Sequence, residues 1–314
     1  MLNEELFLPI IKNKKYGFIN QNKRILVRPR YDYLTERFRD GYCVFAYIKK
    51  IKRDRRWVFG YIDKLGNSNI FIHMDFISEF SESMSRIKIN DKYGFLDRNM
   101  NMVINPIYEN AQSFKEGLCG VKVNNKWGFI NKNNKIIVKP KYSYVGEFSQ
   151  GLALIENKGK YGYINKEAKV IIQPKYDIAG EFKNSLAPVK KNNKWGYINT
   201  YGEVVIPFIY NRAKSFSESL AAICIDEKWG YITEDGKVQI QPFFDYACDF
   251  KEGYARFSMI SENQSLWGYI DKLGIIRILP LFDRIYDFEN GYAKVIDGDN
   301  SNYIDKLGKL FMTI

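Results

Sequence analysis

The chain has 314 residues, 46% hydrophobic and 27% charged, so it can bury a core and does not read as disordered. Lysine and arginine exceed aspartate and glutamate by 48 − 36 = +12, and the excess is lopsided: residues 1–157 carry 27 − 16 = +11 and residues 158–314 carry 21 − 20 = +1. A single histidine, His73, excludes chemistry that needs a histidine pair or triad. Four cysteines without a C-x-x-C pair exclude an ordinary zinc finger, so neither a metal nor a cofactor is expected. No apolar run reaches about 18 residues, and Met1 to Lys15, with Glu4 and Glu5, lacks a signal-peptide pattern; the expectation is a cytoplasmic protein with no membrane association.

Self-similarity dominates the rest. A glycine flanked by aromatics recurs at Gly17, Gly60, Gly94, Gly128, Gly162, Gly196, Gly230 and Gly268, with a degenerate ninth copy at Asn302; the spacings are 43, 34, 34, 34, 34, 34, 38 and 34. The next residue is aromatic in every copy, from Phe18 and Tyr61 to Tyr303, and the one after it is Ile or Leu. A turn former follows, such as Asn131, Asn165 or Asp271, then a proline in most copies (Pro106, Pro140, Pro174), then an aromatic (Tyr108, Tyr142, Tyr176). A phenylalanine closes the pattern at Phe38, Phe80, Phe114, Phe148, Phe182, Phe216, Phe250 and Phe288.

Taken in chain order, one unit reads as three short strands. Leu152 to Glu156 reads as a first strand, and Lys126 to Asn131 shows the second, with Trp127 and Phe129 on one face and Gly128 and Ile130 on the other. The Asn or Asp after it, with a glycine three residues on in several copies, reverses the chain into a third strand, Ile136 to Val138. That apolar run suggests burial on both faces, with the following proline ending the ladder. The segment from Tyr142 to Phe148 has no strand pattern and reads as a crossover. Glycine at the centre of a strand implies close approach of another backbone or a ring, at Gly162 as at its siblings.

Lys126-Trp127-Gly128, Lys194-Trp195-Gly196, Lys228-Trp229-Gly230 and the related Trp267-Gly268 make the chain resemble the WG-repeat (KWG-like) family of bacterial β-rich repeat proteins, over roughly residues 7–314. The resemblance implies a repeat type and carries over no catalytic residue. Unit two departs from the pattern, with Ile72 and Met74 in place of the proline and the aromatic, and the last copy has Asn302 for glycine. The expected fold is all-β, a single array over 1–314 of about 34-residue three-stranded repeats stacked as an open superhelical, solenoid-like array. Units one, two and nine would then cap it. The alternative is a β-propeller, against which stand the count of nine, the short unit and the lack of a visibly split blade.

The chemistry-bearing residues have bland readings. Asp63, Asp97, Asp271 and Asp305 stand where other units have Asn, which points to turn capping rather than acid–base work. Cys43 and Cys119 take a small position that is alanine at Ala153, Ala187, Ala221, Ala255 and Ala293, and read as filler, while Cys224 and Cys248 read as exposed thiols. The repeated aromatics read as a core stripe rather than a stacking platform.

Two insertions, Lys49 to Arg56 and Ser258 to Ser265, lengthen the hairpin between the first two strands of their units and so project from one edge. The first holds Lys49, Lys50, Lys52, Arg53, Arg55 and Arg56 and is the candidate binding surface. The resulting expectation is a non-enzymatic scaffold for an unidentified protein or peptide, with an anionic partner at the N-terminal half. The alternative is nucleic-acid or other polyanion binding through that basic half.

Overall fold

A computed structural model describes residues 7–313 apart from 21, 23, 36, 52, 53, 262 and 263. Strands and turns form nine successive antiparallel sheets, over residues 7–31, 33–71, 76–108, 110–142, 144–176, 178–210, 212–244, 246–282 and 284–313, here blades 1 to 9. Among the described residues blade 1 has three strands and every other blade four, always in sequence order. In blade 4 they are Asn110–Ala111, Leu118–Val123, Lys126–Asn131 and Ile136–Tyr142, the first to fourth strands. The chain divides into two compact units, one ending at Phe148 and including 166–168, the other holding 149–165 and everything from Lys169 onward.

Tandem four-stranded meanders are the blades of a β-propeller, and this corrects the expected open array of three-stranded repeats. The segment read as a strandless crossover supplies the missing first strand. In blades 2, 4, 6, 7 and 9 that strand needs only two residues, such as Ile178–Ala179, which is how 34 residues accommodate four strands. Blades 3, 5 and 8 have six-residue first strands, Phe76–Ser81, Tyr144–Ser149 and Tyr246–Lys251. Nor are the deviating units caps: each is a blade with its own pairing.

The fourth strand also differs from expectation. Proline does not end the ladder but sits in a bulge: Phe129 pairs with Val138 and Trp127 with Tyr142, so the fourth strand spends extra residues opposite Gly128. A Cβ on Gly128 would lie 2.3 Å from the Val138 carbonyl oxygen and 2.7 Å from Pro140 N, so the close approach comes from the blade's own backbone. Blade 2 lacks the proline, and its fourth strand, Ser68–Phe71, pairs without a bulge. Its Gly60 is still required, because the Phe45 ring would be 2.3 Å from a Cβ there. The apolar run at 136–138 is an outer edge, with Ile136 exposed and only Val138 buried.

Neighbouring blades are joined by the aromatic of the third strand. Its ring packs on the phenylalanine that closes the repeat and lies in the next blade: Phe95 on Phe114 at 4.9 Å, Tyr163 on Phe182 at 4.7 Å, Tyr197 on Phe216 at 5.0 Å, Tyr231 on Phe250 at 4.8 Å and Tyr269 on Phe288 at 4.7 Å. Where the ring is tyrosine, its buried hydroxyl donates to a carbonyl seventeen residues ahead, as Tyr163 to Gly180 (2.7 Å) and Tyr197 to Lys214 (2.8 Å). Burial pushes these phenols up, keeping them neutral donors. Where the ring is phenylalanine the hydroxyl is missing, and in two blades a thiol stands beside the vacated carbonyl. After Phe95, Cys119 Sγ donates to Gln112 O at 3.1 Å; after Phe18, Cys43 Sγ lies 3.5 Å from the equivalent Thr35 O and closer, at 2.8 Å, to Arg37 O. The buried cysteines are therefore donors as well as filler. Burial raises the Cys43 thiol to about 12, and Cys224 and Cys248, expected to be exposed, are buried too.

A second tie recurs at the turn between the first and second strands. Glu82 accepts from the N–H groups of Glu116 and of Gly117 (2.9 Å) in the next blade, and Lys132 Nζ lies 3.4 Å from it. Glu218 repeats this with Gly253 (3.0 Å) and Lys272 (3.1 Å), and Glu252 with Asn290 (2.6 Å), Gly291 (2.9 Å) and Lys306 (3.4 Å). The donating amides belong to turn residues of positive φ, such as Glu116 and Gly117, whose N–H groups converge on one acceptor.

Gly162→Val should destabilise by more than about 2 kcal/mol in a thermal or denaturant melt, because its Cβ would fall 2.3 Å from Ile172 O and 2.6 Å from Pro174 N; an unchanged melt would refute the close approach. Cys119→Ala should cost about 1 kcal/mol by removing the donor to Gln112 O. Adding Phe95→Tyr should recover most of that loss, since the double variant reproduces the Tyr163 and Ala187 pairing of blades 5 and 6. Additive losses in the melt would show that the thiol and the phenol are not interchangeable.

Candidate functional site

Blade 2 carries the longest hairpin, with Tyr42–Ile51 pairing from Tyr42↔Asp63 to Ile51↔Asp54 against Asp54–Asp63. The first strand, Tyr33–Leu34, reaches only Ala46 and Phe45, and the fourth pairs only from Phe59 inward. Beyond that level the hairpin is a two-stranded ribbon with no strand on either edge among the described residues. At its base the Asp32 carboxylate accepts from Lys15 Nζ (2.6 Å) and Ile48 N–H (2.9 Å), and the lysine contact leads in holding that acid below its ordinary pKa.

Of the basic residues singled out, Lys49 faces Arg56 and Lys50 faces Arg55 across the ladder, all four exposed, while Lys52 and Arg53 lie outside the described residues. Asp54 is 3.7 Å from Arg56, in a fully solvated pair. Ile48 and Trp57, paired opposite each other, are 45% and 47% exposed just below the basic tip. Blade 8 lengthens the same hairpin, with Tyr254–Ser261 against Gln264–Asp271, and its tip is not basic.

The repeat residues take structural places. Trp127, Trp195 and Trp267 are half-buried, Trp229 is buried, and Gly128, Gly196, Gly230 and Gly268 lie under the bulge, as Gly162 does. The acids and amides after the third strand cap its turn. Asp97 Oδ1 accepts from the Asn99 and Asn101 N–H groups at 2.8 Å, and Asn131 Oδ1 does the same with Asn133 (3.1 Å) and Lys135 (2.9 Å). The backbone bonds, that from Asn101 foremost, hold the Asp97 carboxyl below its usual range. His73 is exposed in the bend between blades 2 and 3. Among the described residues no His/Cys/Asp/Glu group is arranged to hold a metal, and no helix is long and apolar enough to cross a membrane.

The structure adds a site that the sequence reading missed. A cavity of 1160 Å³ runs along the whole first strand of blade 3, Phe76–Ser81, beside the segment containing Tyr33, Phe38 and Arg39. Trp57 and Phe59 from the hairpin line it, as do Glu79, Glu82 and, from blade 5, Glu147. Reading the first strands as irregular crossover left no reason to group these residues. Trp57 was the available signal, as an aromatic directly after the insertion and outside the repeat pattern.

No curated protein sequence matches the chain. Among solved structures it is similar to a eukaryotic initiation factor, at 12% identity and a TM-score of 0.66, covering 99% of this chain and 96% of that one. It is also similar to the β-propeller domain of the Trilobed protease from Pyrococcus furiosus, at 10% identity and a TM-score of 0.45, covering 90% of this chain and 98% of that one. The first likeness supports the fold and nothing beyond it. In sequence, the family described as WG containing repeat matches eight tandem segments, residues 16–50, 59–93, 93–127, 127–161, 161–195, 195–229, 229–259 and 267–300. With the repeat residues accounted for blade by blade, the chain belongs to the WG-repeat family.

Proposed function

We propose that the protein is a non-enzymatic interaction scaffold, acting in the cytoplasm, that docks a partner protein with an acidic surface on the projecting hairpin of blade 2. The observation that carries this reading is the like-charged ladder at the hairpin tip. Lys49 opposite Arg56 and Lys50 opposite Arg55 repel across the strands, which costs the hairpin stability, so its own folding does not account for them. An anionic partner turns that cost into attraction, with arginine able to hold carboxylates through two hydrogen bonds. Ile48 and Trp57 beside the tip supply apolar contact of the kind that anchors protein interfaces. The +11 balance of residues 1–157 would speed encounter. A non-enzymatic role is supported by the turn-capping acids, whose work is done equally by Asn131 and Asn199.

The same charges support a second reading, binding to nucleic acid or another polyanion, which needs phosphate contacts and no further motif. Capture of partners from lysate by the tagged protein, at low and high salt and with and without nuclease, separates the two. The scaffold reading expects protein recovered irrespective of nuclease, while loss of all bound material on nuclease treatment supports the polyanion. Changing Lys49, Lys50, Arg55 and Arg56 to Ser should leave the melting temperature unchanged or slightly raised, as the cross-strand repulsion is relieved, and reduce recovery mainly at low salt. Equal recovery by this variant and the wild type across the salt series would remove the hairpin from consideration.

A further inference from the structure

The cavity along blade 3 is distinct from the basic tip in both charge and shape. Its wall is an edge strand: Phe76–Ser81 ends the sheet of blade 3, and all six of its residues line the cavity. Ser78 O already accepts from the Tyr61 and Ser85 hydroxyls and Glu79 O from Ser78 Oγ, at the bulge between Ile77 and Phe80, while among the described residues no further strand pairs with this edge. A space lined by every residue of such an edge strand fits an extended chain, which adds beside it and places alternate side chains in the walls. At the end near the hairpin the walls are aromatic, with Trp57 and Phe59 stacked 6.5 Å apart and Phe76 beside them.

The charge is opposite to that of the surrounding half-molecule. Asp40, Glu79, Glu82 and Glu147 line the cavity against two cations, Arg39 and Lys115. Asp40 and Glu82 are already committed, to Ser83 N–H at 2.9 Å and to the turn of blade 4. Among the described residues Glu79 has only Arg39, at 3.7 Å and outside hydrogen-bond range. Glu147 is half-buried and has no hydrogen bond or ion pair among the described residues. A half-buried carboxylate without a partner forfeits solvation and gains nothing for the fold, so its complement is a cation from outside.

We infer that the cavity is a docking site for an extended peptide segment bearing lysine or arginine, which pairs with the edge strand Phe76–Ser81, sets its cation against Glu147 and Glu79, and rests an apolar side chain on Trp57. The inference rests on reading the protein as an interaction scaffold and names a second class of partner chemistry for it. The chain's own +12 charge makes nonspecific attraction of a basic peptide unfavourable, so binding reports the cavity.

The test uses the full chain and a fluorescein-labelled octapeptide, (Lys-Val)4, followed by anisotropy. It should bind the wild type saturably, while (Glu-Val)4 and N-acetyl-lysine amide fail to compete. Glu79→Gln with Glu147→Gln should weaken it by roughly tenfold or more. Glu147→Gln alone, which removes no partner and should melt like the wild type, should weaken it severalfold, and Glu147→Lys should abolish it. Unchanged affinity in these variants, absence of saturable binding, or equal displacement by N-acetyl-lysine amide would overturn the assignment. The hairpin variant with four serines should keep its affinity for (Lys-Val)4. Loss of peptide binding with partner capture intact therefore strikes only the cavity, and the reverse strikes only the hairpin.

Discussion

Each described blade boundary depends on one aromatic ring reaching out of its own sheet. The residue after the repeating glycine sits in the third strand, yet its packing partner is the phenylalanine that leads into the next blade, as for Tyr231 and Phe250. The hydroxyl, where present, ends on the backbone of that same segment, as Tyr231 does on Cys248 O at 2.6 Å. The 34-residue sequence repeat thus straddles two blades, and each blade's core is completed by its successor, which is why a single blade has no way to bury its aromatic face. At Phe95 and Cys119 a thiol takes over the phenol's bond to the crossover carbonyl, whereas at Phe129, followed by Ala153, the ring pair stands without such a donor.

The glycine, the proline and the aromatic also depend on one another. Proline sets the bulge, the bulge brings the fourth strand's backbone over the centre of the third, and only glycine leaves room there. Blade 9 shows the converse, with Asn302 in place of glycine and Thr313 opposite it. The acidic ties at the other turns, Glu82 to Lys132 among them, add charge-assisted bonds between neighbours that are half-exposed and individually modest.

Much of this was legible in the residues. Period, strand–turn–strand order, turn capping by Asn or Asp and the burial of the aromatics all follow from local pattern. The propeller did not, because the first strand of most blades is two residues long and pairs with a strand later in the chain, and so has no periodicity to read. For the same reason the cavity was invisible, since Phe76, Glu79 and Glu147 come together only once those first strands exist. The basic hairpin was legible as an insertion of like charge. That its charges face one another across a ladder, and that Trp57 belongs both to the hairpin and to the cavity wall, needed the register. The two surfaces thereby share one blade, at the place where the repeat departs most from its own pattern.

That neighbouring blades are held by the cross-boundary ring pair is tested most directly by a double-mutant cycle between Tyr197 in blade 6 and Phe216 in blade 7, whose rings are 5.0 Å apart. Each should be replaced by leucine, singly and together, with unfolding free energies measured in denaturant. A coupling of about 0.5–1.5 kcal/mol is expected for a packed aromatic pair. Strictly additive losses would mean that the rings do not recognise each other, and would contradict the account of how the blades are joined.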